Sequence, residues 1–320
     1  MIRKNVLVFR ELPDDQMDRL RAVHEVTVAN PRVPEQRAAF FAALSTVHGL
    51  IGASYPIDPS VLALAPCLEV VSSVSVGVDN YDRPALRQRG IVLTHTPGVL
   101  TETTADTLFA LLMACSRRVV ELANHVRDGH WNAAIDETLF GWDVHGKTLG
   151  ILGFGRIGQA VARRGALGFG MPVVYHHPRV VSCPELADKA LAVSQAELLS
   201  RADFLVLTLP LTVETRGLMN AERLAAMKSG AILINGSRGA VVDEAALLAS
   251  LDRGHLRAAG LDVFAVEPLP LDSPLRRHPG VTAFPHIGSA THETRHAMAE
   301  LATSNLLQAL AGERPISAVD

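Results

Sequence analysis

The sequence predicts an α/β protein in which parallel sheets form two lobes, and three observations support this fold class. The 320 residues are enough for two domains of about 150 residues each. Short apolar runs alternate with helical patterns along most of the chain, as in βαβ units. The 24 glycines and 18 prolines suit the many short turns of such units, while the 48% of hydrophobic residues excludes a disordered chain.

The first hundred residues contain five short apolar runs that we predict to be strands buried on both faces. They cover residues 6–9, 26–29, 50–53, 70–76 and 91–95. Between Thr101 and Arg127 the chain has neither Pro nor Gly. We therefore predict one long helix there, of the kind that often bridges domains or subunits.

A second series of strands and helices begins near residue 148. Its predicted strands cover residues 148–152, 173–176, 204–209, 232–235, 259–264 and 281–284. Helical patterns separate most of these strands, which indicates a second parallel sheet. A last helical pattern covers residues 289–310.

Charge and cysteine content narrow the class of partner. The net charge of -3 lacks the basic excess that nucleic acids or anionic membranes require, so a small molecule is the better ligand class. Three cysteines far apart predict neither disulfides nor a metal site, and they fit a reducing cytoplasm. Because no apolar run is long enough for a membrane span or a signal peptide, we expect a cytoplasmic protein.

A glycine-rich turn carries the strongest local signal. It comprises Gly153, Phe154, Gly155, Arg156, Ile157 and Gly158. The turn follows the apolar run 149–152 and precedes a helical pattern at residues 159–167, which is the context of a dinucleotide-binding fingerprint. Its glycines permit a tight turn, approach of backbone N–H groups to a pyrophosphate, and close packing of helix on strand.

The end of the next strand predicts which dinucleotide binds. An NAD site usually has an acidic residue about 20 residues after the fingerprint, to bind the ribose 2′-hydroxyl. No acidic residue occurs between Gly153 and Pro184, and the strand ends instead in His176, His177, Pro178 and Arg179. We therefore predict NADPH, with Arg179 as the main contact of the 2′-phosphate and His176 or His177 in support. Pro178 interrupts the basic cluster, so tolerance of NADH stays open.

Three segments at the ends of later strands contain the side chains that a 2-oxo acid reduction needs. Arg238 can hold a carboxylate or polarise a ketone, His286 can donate a proton, and Glu267 can keep that imidazole charged. Ligands of open α/β sheets bind beyond the carboxyl ends of the strands, so we expect the three to converge. Taken singly, Arg238 could instead pair with Asp243 or Glu244, and His286 could be a buried structural histidine.

With the fingerprint, the motifs GSRG (236–239), AGLDVF (259–264) and PHIGS (285–289) resemble those of the D-isomer-specific 2-hydroxyacid dehydrogenase family. The segments SVGVDN (75–80), HTP (95–97) and GSATHETR (288–295) are similar to those of its glyoxylate/hydroxypyruvate and 2-ketogluconate reductases. The resemblance covers nearly the whole chain. It implies two Rossmann-like lobes: a dinucleotide-binding domain at residues 100–287, and a discontinuous, flavodoxin-like substrate lobe at residues 1–99 and 288–320.

The resemblance also implies roles for individual residues. Arg238 would bind and polarise the substrate, Glu267 would pair with the catalytic histidine, and His286 would be the proton donor. The backbone of Val76 and Gly77 would hold the substrate carboxylate, with Arg238 and His286 completing the substrate contacts. Asp262 would lie near the nicotinamide. The remaining predicted cofactor contacts are Leu209, Pro210, Thr215, Asn235, Gly236 and Gly288.

The expected reaction is NADPH-dependent reduction of glyoxylate, hydroxypyruvate or 2-keto-D-gluconate to D-2-hydroxy acids. Another substrate of the same family, or a dinucleotide-sensing role like that of a corepressor, are the alternatives. The family typically dimerises through the region between Thr101 and Arg127, so we expect a homodimer there. A helix packed wholly between the lobes is the other interpretation of that region.

Overall fold

The computed structural model describes residues 2–319, and the chain forms two compact units. One unit comprises Met1–Leu100 and Ala290–Asp320, and the other comprises Thr101–Ser289. The boundaries expected from the sequence lay at 99/100 and 287/288, one and two residues earlier. None of the helices in the described part of the chain is long and apolar enough to cross a membrane.

The first unit is built on a five-stranded parallel sheet. Its strands are β1 Asn5–Val8, β2 Glu25–Val28, β3 Gly49–Gly52, β4 Val70–Ser73 and β5 Val92–Thr94. They lie in the order β2-β1-β3-β4-β5, which is the flavodoxin-like order. The helices of this unit are α1 Asp14–Val23, α2 Pro34–Leu44, α3 Pro59–Ala63, α4 Arg83–Gln88 and α11 His292–Leu310.

Two expectations for this sheet need correction. β4 ends at Ser73 rather than at Val76, because the chain leaves the sheet there and enters the loop that carries Val76 and Gly77. β2 is mostly exposed rather than buried on both faces, since it is an edge strand that pairs only with β1.

The second unit contains a seven-stranded parallel sheet. Its strands are β6 Leu149–Leu152, β7 Val173–His176, β8 Ala190–Ala192, β9 Phe204–Leu207, β10 Ile232–Asn235, β11 Ala258–Leu261 and β12 Val281–Ala283. The order is β12-β11-β10-β9-β6-β7-β8, so the sequence direction reverses between β6 and β9, as in a doubly wound dinucleotide-binding fold. The short edge strand β8 was not predicted, because its three residues are too few to show a strand pattern.

Six helices belong to the second unit. They are α5 Thr101–Arg117, α6 Val119–Arg127, α7 Arg156–Arg163, α8 Gln195–Arg201, α9 Ala221–Ala225 and α10 Glu244–Asp252. α7 begins at Arg156, inside the glycine-rich turn and earlier than the helical pattern indicated. A π-helical turn at Arg164–Gly168 follows it directly.

The prediction of one long helix between Thr101 and Arg127 is wrong. Arg118 has a left-handed backbone, with φ of 55°, and separates α5 from α6. Its guanidinium bonds Glu121 at 2.5 and 2.8 Å and donates to the carbonyl oxygens of Thr138 and Phe140. These contacts stabilise the break between α5 and α6. The sequence has neither Pro nor Gly at this point, so it gives no local sign of the break.

Candidate active site

The glycine-rich turn has the conformation that its sequence predicts. Gly153 directly follows β6 and has φ of 100°, a left-handed conformation that favours glycine. A Cβ at this position would lie 2.9 Å from the backbone of Thr208. The Thr208 hydroxyl donates to the Gly153 carbonyl oxygen at 2.6 Å and so fixes the turn from the end of β9. No local sequence pattern indicates Thr208, since only the fold brings it to Gly153.

The other two glycines of the turn differ in their surroundings. A Cβ on Gly158 would lie 2.3 Å from the carbonyl oxygen of Gly153, so helix and strand pack too closely for a side chain. A Cβ on Gly155 would meet no atom within 4 Å. The space over Gly155, at the N-terminus of α7, is therefore open to a ligand phosphate.

The residues between these glycines have different exposures. The Phe154 ring is buried and stacks on Tyr175, with ring centroids 3.8 Å apart, so only its backbone can face a ligand. Arg156 is exposed in the first turn of α7, and Ile157 is half-buried. The stack holds the turn against β7.

The end of β7 brings the predicted 2′-phosphate residues together. His176 Nδ1 lies 3.0 Å from the Val193 carbonyl oxygen, which anchors this imidazole to the neighbouring chain segment. His177 Nδ1 accepts the N–H of Arg179 at 3.2 Å, which closes a tight turn. The Arg179 side chain is exposed, and within residues 2–319 it forms no ion pair. The turn therefore presents a guanidinium beyond the end of the strand.

The loop after β9 contains three further predicted cofactor residues. Leu209 and Pro210 follow the strand closely, and the Thr215 hydroxyl donates to the Pro210 carbonyl oxygen at 2.7 Å. The N–H of Thr212 in turn donates to the Thr215 hydroxyl at 2.8 Å. Thr215 thus orders this loop at the same edge of the sheet as the glycine-rich turn.

The end of β10 is a tightly packed turn that carries Arg238. The buried Asn235 side chain accepts the N–H of Ser237 at 3.1 Å and donates to the Arg238 carbonyl oxygen at 3.1 Å. A Cβ at Gly236 would lie 2.0 Å from Leu108, and one at Gly239 would lie 1.8 Å from the backbone of Phe264. Asn235 and Gly236 therefore shape the loop through packing, and the half-buried Arg238 donates from Nη1 to the Ser237 carbonyl oxygen at 2.8 Å.

Asp243 and Glu244, which the sequence offered as alternative ion-pair partners of Arg238, make other contacts. Asp243 caps the N-terminus of α10 by accepting the N–H of Ala246 at 3.0 Å. Glu244 accepts the N–H of Ala265 at 2.7 Å and so supports the loop that leads to Glu267. Nothing in the local sequence around Glu244 indicated that contact.

His286 and Glu267 form the central pair of the site. Nδ1 of His286 lies 2.7 Å from Oε2 of Glu267, while Oε1 accepts the N–H of Phe264 at 3.0 Å. Burial alone would raise the pKa of Glu267, but the bond to His286, the Phe264 N–H and the charges of His286 and Arg238 lower it overall. The carboxylate is therefore held ionised beside an imidazole whose side chain is 48% exposed.

Asp262 supports the turn that carries His286. Its two carboxylate oxygens accept the N–H groups of Ile287 at 2.7 Å and of Gly288 at 2.8 Å. Burial raises the pKa of Asp262, and these two hydrogen bonds oppose the rise. Asp262 and Gly288 are both predicted cofactor contacts. In the structure they are bonded to each other, since the Gly288 N–H donates to the Asp262 carboxylate.

His286 itself has a left-handed backbone, with φ of 55°. This conformation is uncommon for a residue with a side chain, and such residues concentrate at functional sites. Two hydrogen bonds hold this turn in place. Glu267 bonds the imidazole of His286, and Asp262 accepts the N–H of Ile287, the next residue.

Val76 and Gly77 lie in the half-buried loop after β4 of the first unit. His95 Nδ1 lies 3.1 Å from the Val76 carbonyl oxygen, so His95 has a structural contact there. In the described part of the chain, the N–H groups of Val76 and Gly77 have no protein acceptor. Two free N–H groups in sequence are suited to an anion, and their role as carboxylate contacts stays a prediction.

Comparison with known proteins decides the family. The family model described as "D-isomer specific 2-hydroxyacid dehydrogenase, NAD binding domain" matches residues 109–288. Glyoxylate/hydroxypyruvate reductase B of Yersinia pestis (strain Pestoides F) is 50% identical over 311 residues, which are 97% of this chain and 95% of that protein. The chain belongs to the D-isomer specific 2-hydroxyacid dehydrogenase family. It is an NAD(P)-dependent oxidoreductase, as its sequence motifs predicted.

Solved structures agree in fold. A protein from Thermus thermophilus has a TM-score of 0.90 at 49% identity, covering 99% of this chain and 100% of that one. An NADPH-dependent glyoxylate/hydroxypyruvate reductase from Sinorhizobium meliloti, solved with NADP and malonate, has a TM-score of 0.88 at 32% identity, covering 99% and 97%. The predicted fold class of two Rossmann-like α/β lobes is confirmed.

The residues of the second unit fit a nicotinamide dinucleotide. The open space over Gly155 can take a pyrophosphate, and the N-terminus of α7 supplies N–H groups of the right polarity. Arg238, Glu267 and His286 lie in the loops that follow β10, β11 and β12, respectively. These loops are at the carboxyl ends of the strands, which is the edge at which such sheets bind ligands.

Proposed function

We propose that the protein reduces glyoxylate, hydroxypyruvate and related small 2-oxo acids to D-2-hydroxy acids. The pairing of His286 with an ionised Glu267 carries the proposal, because it provides a proton donor held beside a carboxylate. The names of the Yersinia and Sinorhizobium relatives support the same substrates. 2-Keto-D-gluconate is a further proposed substrate, on the basis of the resemblance seen in the sequence.

Each side chain of the pair has a distinct part in this chemistry. A bound nicotinamide dinucleotide supplies the hydride. His286 gives its proton to the carbonyl oxygen of the substrate, and Glu267 stabilises the imidazolium before that transfer. Arg238 binds the substrate and stabilises the negative charge that develops on the same oxygen. Val76 and Gly77 are the proposed backbone contacts of the substrate carboxylate.

Initial rates test the reaction. Purified protein is assayed with NADPH and with NADH against glyoxylate, hydroxypyruvate and 2-keto-D-gluconate, and cofactor oxidation is followed by absorbance. We expect turnover with at least the first two substrates. If no pair of cofactor and substrate reacts while the dinucleotide still binds, the substrate proposal is wrong and a sensing role takes its place.

We also propose a preference for NADPH over NADH. The exposed Arg179 at the end of β7 and the imidazoles of His176 and His177 are suited to a 2′-phosphate, and no carboxylate occupies that strand end. The Sinorhizobium relative is named as NADPH-dependent. The same initial-rate series measures the ratio of kcat/KM for the two cofactors.

A homodimer is the proposed assembly, through an apolar surface that begins at α6. No residue of α6 is buried, and Val119, Val120 and Val126 are about half exposed. Trp131 and Phe140 add large exposed rings in the segment that follows. Large apolar side chains that are exposed close together in sequence are candidates for an interface. Light scattering coupled to gel filtration should give twice the chain mass of 34.3 kDa, and Val126→Asp should shift the protein toward the single-chain mass.

A further inference from the structure

The loop after β4 is joined to the segment that follows β5 by two hydrogen bonds. The N–H of Thr96 donates to the Ser75 carbonyl oxygen at 3.0 Å, and His95 Nδ1 lies 3.1 Å from the Val76 carbonyl oxygen. Because a carbonyl oxygen only accepts hydrogen bonds, Nδ1 of His95 carries the proton and is the donor. Two successive carbonyl groups of the loop are therefore anchored to the same segment.

These two anchors fix the direction of the N–H groups of Val76 and Gly77. The Ser75 carbonyl shares its peptide group with the Val76 N–H, and the Val76 carbonyl shares its peptide group with the Gly77 N–H. Both peptide bonds are trans, and in a planar trans peptide the C=O and N–H bonds point in opposite directions. Both N–H groups therefore point away from His95 and Thr96, and among the described residues they have no acceptor.

The C-terminal part of the chain holds the backbone of His95 in place. The His95 N–H donates to the Ser317 carbonyl oxygen at 3.1 Å, and the His95 carbonyl oxygen accepts the Ser317 hydroxyl at 2.6 Å. The buried Asn305 of α11 donates to the same His95 oxygen at 3.2 Å, and it accepts the N–H of Ser317 at 3.1 Å. Because both backbone groups of His95 are bonded, its imidazole extends from a fixed position toward Val76.

The hydrogen bond from His95 also makes the Gly77 N–H a better donor. Hydrogen bonds polarise one another along a chain, so a peptide whose carbonyl oxygen accepts a bond donates more strongly through its N–H. His95 and Val76 are both half-buried, which limits competition from water for this bond. Successive backbone N–H groups form the kind of site that binds an anion, and His95 strengthens one of the two.

We propose that His95 is a positioning residue for the substrate. It orients and polarises the peptide group between Val76 and Gly77, and the Gly77 N–H then binds the carboxylate of the 2-oxo acid. This role rests on the proposed reductase function and on the proposed backbone contacts of the carboxylate. His95 acts through the peptide and does not itself touch the substrate. Since every 2-oxo acid has the carboxylate, His95 should affect glyoxylate and hydroxypyruvate by the same factor.

Three variants separate this role from a purely structural one. His95→Phe keeps a ring of similar size and removes the donor, whereas His95→Asn keeps an amide N–H near the position of Nδ1. His48→Phe is the matched control, since His48 is a half-buried histidine of the same unit. Its Nδ1 accepts the N–H of Asn5 at 3.2 Å, at the start of β1 and so at the opposite end of the sheet.

The measurements include one that needs no turnover. Initial rates give kcat and KM for glyoxylate and for hydroxypyruvate with each protein. Calorimetry gives the affinity for NADPH and, at saturating NADPH, the affinity for oxamate. Oxamate has the carboxylate and the adjoining carbonyl of a 2-oxo acid, but it is not reduced.

We expect His95→Phe to raise KM for both substrates and Kd for oxamate about tenfold, because a hydrogen bond to a charged group is weakened. Its kcat and its affinity for NADPH should stay close to those of the wild type. His95→Asn should recover most of the lost affinity, and His48→Phe should leave KM unchanged.

An active His95→Phe enzyme with unchanged KM would overturn the positioning role, and so would a factor that differs between the two substrates. Ser317→Ala keeps the test decisive if His95→Phe does not fold, because it removes one bond to the His95 carbonyl oxygen and leaves the imidazole. It should raise KM by a smaller factor at constant kcat, and an unchanged KM would count against the role. If the wild type neither reduces a 2-oxo acid nor binds oxamate, the proposed function itself fails, and the role of His95 fails with it.

Discussion

The imidazole of His286 is bonded through Nδ1 to the carboxylate of Glu267, at 2.7 Å, while the backbone of His286 has a positive φ. The two facts belong together, because the left-handed turn directs the ring toward the loop that carries Glu267. With Nδ1 engaged, Nε2 is the ring nitrogen left to face a substrate. The proton is therefore presented from a fixed direction.

Replacing His286 by Asn should reduce kcat by about 10²- to 10⁴-fold, the contribution typical of a positioned acid. His278→Asn is the matched control, since His278 pairs with Asp252 at 3.3 Å and has no part in the proposed site. Turnover numbers for both variants check this, with dinucleotide affinity measured by fluorescence. Wild-type turnover of His286→Asn would remove His286 from its role.

Stability in acid should depend on Glu267 and Asp262 with opposite signs. The pKa of Glu267 is lowered from 4.5, so the stability that it contributes is present above that pH and is lost as the pH falls below it. The pKa of Asp262 is raised from 3.8, so folding becomes less favourable as the pH rises above 3.8.

Urea unfolding of the wild type, Glu267→Gln and Asp262→Asn across this acidic range measures both effects. The free energy of unfolding of the wild type relative to Glu267→Gln should increase with pH. Relative to Asp262→Asn it should decrease with pH. Two curves of the same slope would contradict the assignment of the two carboxylates.

Two glycine substitutions should separate cofactor binding from folding. Gly155→Ala places its methyl group in open space, so we expect an unchanged melting temperature and weaker dinucleotide binding. Gly158→Ala places a methyl group 2.3 Å from the Gly153 carbonyl oxygen, which should cost about 1–3 kcal/mol of stability. Thermal unfolding and cofactor titration of both variants test this. Equal affinity of Gly155→Ala and the wild type would show that no phosphate binds over that position.

Substituting Arg179 by Asp should shift cofactor preference toward NADH. The carboxylate can accept hydrogen bonds from a ribose 2′-hydroxyl and repels a 2′-phosphate. The ratio of kcat/KM for NADPH and NADH is the measurement, with Arg253→Asp, an exposed site at the end of α10, as the control. A ratio unaffected by Arg179→Asp would assign the preference to other residues.

Periodicity and turn residues predicted most of this architecture, and the failures have identifiable causes. Val173–His176 and Ile232–Asn235 agree with the predicted strands residue for residue, since each is a short apolar run bounded by breakers. The break at Arg118 was missed, because carbonyl groups about twenty residues away help to stabilise it. Likewise, Glu244 and Thr208 act on distant loops, so no local pattern could reveal them.

The discontinuity of the first unit has a consequence for the order of folding. α11 packs on β3 and β4, and the Ser72 hydroxyl donates to the Ala302 carbonyl oxygen in the interior. The first hundred residues therefore cannot complete their core during synthesis until α11 has also left the ribosome. The segment Thr101–Ser289 is translated after the first hundred residues, but it contains every strand of its own sheet. It can therefore fold first.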